Sequence, residues 1–346
     1  MSFDLGFLVF LNYTRHADAA RSLRDGIELY EHAESIGFDS GWVRVHHGVQ
    51  TLTSPFPFFA AVAQRTTRIR LATAVIPVGF EHPLRFAEAA ATTDLLADGR
   101  LELGLSSGIP DGNDPAAKRA ITRQRLDEIQ AALAGAAEAA EETSNRTGDE
   151  HLPGGPVRAH SGDDVALPYA PGLTERLWYG AGSIESALDA ARRGLHLVLS
   201  TIGSDTGHAS LGHQQAEIVA AYRAEFAAHH PGRVSRVAIS RSILPIVDAD
   251  DESAFGGHAA YYASLVDATG HYTDGSGFDG LSTPLYSGEP ARIVDELAAD
   301  PALALADELL LTPISELSTA QKKHVFAAVA EHVAPGLGRR SPVRGR

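Results

Sequence analysis

Asp4-Leu5-Gly6-Phe7-Leu8-Val9-Phe10-Leu11-Asn12-Tyr13-Thr14-Arg15 holds an apolar run, Leu5–Leu11, that only Gly6 interrupts, and then a turn without glycine. A run apolar on both faces fits a strand of a parallel sheet covered on its outer side. It is far too short to cross a bilayer, and it lacks the basic flank of a secretion signal. Two architectures compete for such a strand. An open doubly wound sheet carries a glycine-rich dinucleotide fingerprint directly after its first strand, and Leu11-Asn12-Tyr13-Thr14-Arg15 supplies none. A closed barrel of alternating strands and helices makes no such demand.

The rest of the chain repeats the rhythm of short β-branched or Leu-rich runs and longer stretches of helical period. Strands are predicted at 4–11, 38–45, 69–78, 101–105, 176–179, 195–199, 237–247 and 308–312. Helices are predicted at 17–36, 56–65, 83–96, 115–140, 183–193, 211–229, 290–298 and 319–332. Gly37 stands where a helix C′ residue belongs, and Ser54-Pro55 is a cap followed by a first-turn proline. Eight units in 346 residues give roughly 43 residues apiece, which accommodates a barrel with insertions. The expected fold class is therefore α/β, a single (β/α)8 TIM barrel over 1–338. The expectation includes a surface insertion at about 141–174 with one short strand at 165–169, a less regular region at about 250–290, and a flexible tail at 339–346.

Lys plus Arg number 29 against 44 for Asp plus Glu, a net charge of −15. An acidic surface argues against nucleic acid as a partner, because phosphate binding needs a basic footprint. The absence of cysteine excludes disulfides, thiolate zinc sites and cysteine nucleophiles, and fits a cytoplasmic address. No membrane segment is expected.

In such barrels chemistry gathers at the C-terminal ends of the strands. Those ends hold His46-His47, Thr73-Ala74, Glu81-His82, Ser106-Ser107-Gly108, Gly180-Ala181-Gly182-Ser183, Ser200-Thr201 and Thr312, with few acids among them. Adjacent residues on a strand point to opposite faces, so His46 and His47 cannot both look inward. One is a site candidate and the other packs or caps. Gly180-Ala181-Gly182-Ser183-Ile184-Glu185-Ser186 is a strand-to-helix turn whose free amides and two hydroxyls make an anion pocket. Ser183 with Ser186 also reads as a plain helix cap. Trp42 and Trp178 read as core. Phe7, Phe10, Phe56, Phe58 and Phe80 read either as core or as the lining for a hydrophobic or aromatic substrate.

These residues resemble the luciferase-like monooxygenase family of flavin-dependent barrels. Gly37-Phe38-Asp39-Ser40-Gly41-Trp42-Val43-Arg44-Val45-His46-His47 is similar to that family's second strand, Gly-Phe-Asp-x-x-Trp-x-x-Glu-His-His. Arg68–Val75, His82–Glu88, Leu95–Gly104 and Ala190–Leu195 are similar to later segments. The resemblance is dense over 1–108 and 176–201 and thin elsewhere. It implies reduced FMN at the C-terminal mouth with molecular oxygen as co-substrate, and His46 as the catalytic group that moves a proton near the flavin. It further implies Gly182, Ser183 and Ser186 as the phosphate-binding turn, Thr73 and Ala74 beneath the flavin ring with a non-proline cis peptide at Ala74–Val75, and Ser106 as a small residue beside the flavin. A homodimer is implied as well.

Two positions depart from the family pattern. Val45 replaces the glutamate before the histidine pair, and Ser107 replaces an arginine that helps hold the phosphate. Loosely held flavin would suit a two-component system supplied by a separate flavin reductase. Three alternatives stay open. One keeps the fold and uses the deazaflavin F420 for hydride transfer. Another is a metal-dependent hydrolase built on His46, His47 and His82, which two histidines on opposite faces serve poorly, so no metal is expected. The last is a non-catalytic flavin-binding protein.

Overall fold

The computed structural model describes residues 3–108, 114–144, 166–267, 270–272 and 280–339, with side chains excepted at 115 and 136–144. Among them, eight parallel strands close into a ring: β1 (Asp4–Val9), β2 (Ser40–Val43), β3 (Arg70–Thr73), β4 (Leu101–Ser106), β5 (Leu177–Gly180), β6 (His196–Leu199), β7 (Val237–Arg241) and β8 (Glu308–Leu311). Consecutive strands are neighbours throughout. Leu71 and Ala72 pair with Leu101 and Glu102 between β3 and β4. Asp4–Phe7 pair with Glu308–Leu311 to complete the circle. The helices are α1 (Ala19–Ser35), α2 (Pro55–Ala63), α3 (Pro83–Leu96), α4 (Pro115–Ser144), α5 (Ile184–Arg192), α6 (Leu211–His229), α7 (Ala249–Ala263), α8 (Pro290–Ala298) and α9 (Thr319–Ala328). The expected (β/α)8 barrel is the observed fold. No helix among the described residues is long and apolar enough to cross a membrane.

Strand alternation sorts the core into two layers. Leu8, Trp42, Ala72, Trp178, Val198, Ala238 and Leu310 fill the barrel interior. Phe7, Val9, Val43, Val45, Leu71, Leu103, Ile239 and Leu311 point outward into the larger core beneath the helices. Three strand predictions need correction. The run 69–78 breaks after Thr73, and Ile76–Pro77 pairs separately with Leu105–Ser106 of β4. Across the break the Thr73 hydroxyl donates to the Gly104 carbonyl and accepts from the Gly104 N–H, both at 3.0 Å. A Cβ at Gly104 would lie 2.0 Å from the Thr73 carbonyl oxygen, so only glycine fits this approach. The run 237–247 also splits: Ile243–Pro245 leaves the barrel to pair with Tyr286–Gly288. The short strand predicted at 165–169 is not formed over Ala166–Tyr169; Val165 lies outside the described residues, as does 145–165 of the expected insertion.

The region expected to be irregular at 250–290 begins instead with α7. Asp248 caps it by accepting from the Asp250 and Asp251 amides, a local signal that the glycine and tyrosine content masks. Arg339, assigned to the tail, donates to the Gly37 carbonyl and to Asp39; 340–346 lie outside the described residues.

The N-terminal end of the barrel is plugged by charge. Arg70 meets Asp4, Glu102 and Glu308, at 3.1, 3.2 and 2.8 Å. Arg236 meets Glu102 and Glu308 at 2.6 and 3.1 Å, and lies over the Trp178 ring. His196 packs edge-on against Trp178 and accepts at Nδ1 from the Arg236 amide. Burial, reinforced by Arg236, lowers its pKa from 6.5 to about 4. The unfolded chain therefore binds this proton first on acidification, and stability falls as pH drops through that window. The shift corresponds to a loss on the order of 3 kcal/mol. His196→Gln is expected to flatten the fall in melting temperature between pH 6.5 and 4; an unchanged profile would refute this assignment.

Candidate functional site at the C-terminal mouth

β2 delivers the histidine pair. Ser40 and Trp42 face inward, Val43 and Val45 outward, so alternation continues Arg44 and His46 along the inner side and His47 along the outer. His46 is exposed at the mouth, and its Nδ1 lies 2.7 Å from the His47 carbonyl oxygen. A carbonyl only accepts, so Nδ1 carries the proton of the neutral ring and Nε2 is left as its basic nitrogen. His47 stacks on Phe80 with ring centroids 4.8 Å apart, and its Nε2 lies 3.8 Å from Glu81. Burial, with His46 beside it, lowers the His47 pKa. The two histidines thus separate into one open to the mouth and one packed.

β3 and β4 form the floor. Ala74 and Val75 both pack on the interior cluster, and the peptide between them is cis. Thr73 is fully buried and its hydroxyl is committed to Gly104, so it has a structural task at this position. Ser106 is on the same inward side of β4 as Gly104 and is half-buried. At Gly180, at the end of β5, a Cβ would come within 3.0 Å of the Val75 side chain. Ser107 lies against the Tyr179 hydroxyl.

The wall is the turn from β5 into α5. Ser183 caps the helix, and it shares a reciprocal box with Ser186: Ser186 N–H to Ser183 Oγ is 3.3 Å and Ser183 N–H to Ser186 Oγ is 3.2 Å. The cap predicted from the sequence is present. It does not close the turn, because Gly182 and Ser183 are exposed and nothing lies within 4 Å of where a Gly182 side chain would begin. The amides of Ile184 and Glu185, first in the helix, have no intrahelical acceptor. A phosphate can therefore reach this helix start, and the residues present fit that part of FMN.

Only two of the five phenylalanines stand at the mouth. Phe10 packs on the interior cluster and Phe80 is 41% exposed. Phe7 packs against Tyr30, Phe38 and Phe326, Phe58 against Tyr30, and Phe56 against Phe86. For Phe7 the reason is parity, since odd positions of β1 face the helices; Phe56 and Phe58 belong to α2, outside the ring of strands. Parity also exposes a residue the sequence reading passed over. Arg44 directly follows β2 and turns to the inner side, its guanidinium carbon 5.4 Å from the ring centroid of Phe10, which packs on the interior cluster. Counting alternate residues onward from Trp42 was the signal available for it.

The family model described as luciferase-like monooxygenase matches residues 5–336. The chain belongs to the luciferase-like monooxygenase family. Among curated relatives, 4-hydroxyprotoasukamycin monooxygenase of Streptomyces nodosus subsp. asukaensis is 40% identical over 126 residues, 34% of each chain. An F420-dependent glucose-6-phosphate dehydrogenase of Amycolatopsis mediterranei is 37% identical over 91 residues, 25% of this chain and 27% of that one. The matches thus span about a third or less of these relatives. Among solved structures, monooxygenase RslO1 of Streptomyces bottropensis superposes with a TM-score of 0.70 at 20% identity, covering 96% of this chain and 99% of that one. The oxygenating constituent of 3,6-diketocamphane monooxygenase from Pseudomonas putida, solved with FMN, gives 0.65 at 16% identity, covering 97% and 99%. These likenesses confirm the luciferase-like barrel fold. Cofactors differ among members of this family, as the F420-dependent relative shows.

Proposed function

We propose that this family member is the oxygenase of a flavin-dependent monooxygenase system, using reduced FMN and molecular oxygen to oxidise a small organic molecule with an apolar body. The observation that carries the reading is the opening of His46 and the α5 helix start onto the same end of the barrel. The Ser183 and Ser186 hydroxyls and the first amides of α5 would hold the phosphate, and Ala74, Val75 and Gly180 would support the ring. When bound, reduced FMN supplies the electrons that activate oxygen, one oxygen atom going to the substrate and the other to water. His46 offers Nε2 at the mouth to hold or move a proton there, while its Nδ1 stays fixed on the His47 carbonyl. The apolar floor of Leu8, Ala72, Val198 and Leu310 excludes water from below. Ser107 gives the phosphate no positive charge, which favours a diffusing flavin supplied by a separate reductase.

Titration of the protein with FMN, riboflavin and F420 tests this reading. FMN is expected to bind about tenfold or more tightly than riboflavin, because the phosphate adds charge-assisted hydrogen bonds. Ser183→Ala with Ser186→Ala is expected to remove most of that difference while leaving riboflavin affinity unchanged. Preference for F420 over FMN would overturn the flavin assignment in favour of hydride transfer on the same fold.

A further inference from the structure

Arg44 is the charged group at the mouth that the proposed function leaves unused. It directly follows β2 and precedes His46 by two residues, its backbone N–H still donating to the Val9 carbonyl at 3.0 Å. Its guanidinium sits over Phe10, which itself packs on the interior cluster. The other buried or half-buried arginines of the barrel have acceptors. Arg70 has three carboxylates and Arg236 two. Arg241 has Asp300, and Arg176 has Asp94. Arg100 donates to the carbonyls of Ala63, Thr66, Ile69 and Ala97. Arg44 is half-buried and has no hydrogen-bond or ion-pair acceptor among the described residues. Burial pushes its pKa down, with no anion opposing the shift.

A desolvated charge without a partner is unfavourable in the free protein, and a bound anion relieves it. The planar guanidinium matches a carboxylate with two parallel hydrogen bonds. In a chain of net charge −15 the overall field repels anions, so a local cation is needed to admit one. Phe10, on the same side, supplies the apolar surface against which the body of such a molecule would lie.

We propose that Arg44 is a specificity-determining residue that receives a carboxylate of the organic substrate, so that the substrate class is a small carboxylic acid with an apolar body. The proposal rests on the monooxygenase reading, which makes the mouth the place where an organic molecule meets the cofactor. The anionic ring of reduced flavin is the other source of the same chemistry, and the experiment separates the two.

Calorimetric titration with benzoate and cyclohexanecarboxylate, each against its primary amide, is carried out on the wild type, Arg44→Met and Arg44→Lys, alongside anaerobic titrations of all three with reduced FMN. At least one acid is expected to bind the wild type about 10- to 100-fold more tightly than its amide. Arg44→Met is expected to erase that preference with amide and FMN affinities unchanged, and Arg44→Lys to restore part of it. Lack of binding by both acids, equal binding of acid and amide by the wild type, or a preference that survives in Arg44→Met overturns the proposal. So does a loss of affinity for reduced FMN in Arg44→Met without an acid preference in the wild type, which assigns the guanidinium to the cofactor. If FMN binds no better than riboflavin while the acid preference stands, the phosphate-site reading fails and the Arg44 assignment survives, so the two failures are distinguishable.

Discussion

His46→Ala is expected to lower turnover of reduced FMN, oxygen and substrate to oxygenated product by about 10²- to 10⁴-fold, the range for removing a positioned general acid or base. The geometry supports so large an effect. His46 is exposed where the inner side of β2 reaches the mouth, and its Nδ1 is held at 2.7 Å by the His47 carbonyl. That contact fixes the ring and leaves Nε2 available to a bound molecule. Because the side chain is exposed and its fixed partner is a backbone oxygen, truncation buries no orphaned group. Melting temperature and FMN affinity are expected to stay close to those of the wild type. His47→Ala is the contrasting variant. His47 stacks on Phe80, and burial lowers its pKa, so its loss is expected to lower stability more than turnover. Product formation and thermal unfolding of both variants check this. Turnover of His46→Ala within about threefold of the wild type would remove His46 from the chemistry.

Glu308→Gln is expected to destabilise the protein by about 3–5 kcal/mol, the cost of breaking a buried ion pair from one side. Glu308 is wholly buried at the start of β8. It accepts from Ser40 Oγ and from Trp42 Nε1, and it pairs with Arg70 and Arg236. The amide keeps the volume and loses the charge, leaving two guanidiniums with less anion to share. Arg70 and Arg236 hold the Glu308 pKa below its ordinary value near 4.5, against the opposing effect of burial. A depressed carboxylate contributes stability in full above the unfolded value and loses it as pH falls through the folded one. The gap between wild type and Glu308→Gln should therefore be widest above pH 4.5 and shrink on further acidification. Denaturant unfolding at several pH values measures it. A gap below about 1 kcal/mol above that pH would show the network to be energetically redundant.

The barrel was legible because its signals are local. Apolar runs of strand length, a missing glycine fingerprint after Leu11, and the Ser54-Pro55 and Ser183–Ser186 helix starts can each be read within a few residues. The same locality produced the errors. In the long runs at 69–78 and 237–247 apolar residues resume after Thr73 and after Ser240-Arg241-Ser242, so each reads as one strand; the breaks come from pairings with β4 and with Tyr286–Gly288. Residues 250–263 carry a cap at Asp248, but their glycines and tyrosines conceal the helix. At the site, alternation predicted that one histidine of the pair would be open and one packed. The same rule extended by one step would have placed Arg44 beside the open one.

The amino-acid sequence alone determined the eightfold alternation, the family resemblance, and the strand ends at which a site would form, because period and turn chemistry are properties of short segments. Tertiary structure alone decided which phenylalanines reach the mouth, how Asp4, Arg70, Glu102, Arg236 and Glu308 share one buried network, and that Arg44 faces inward without an anion. Those outcomes depend on ring closure, which brings β1 beside β8 and unites side chains hundreds of positions apart in the chain.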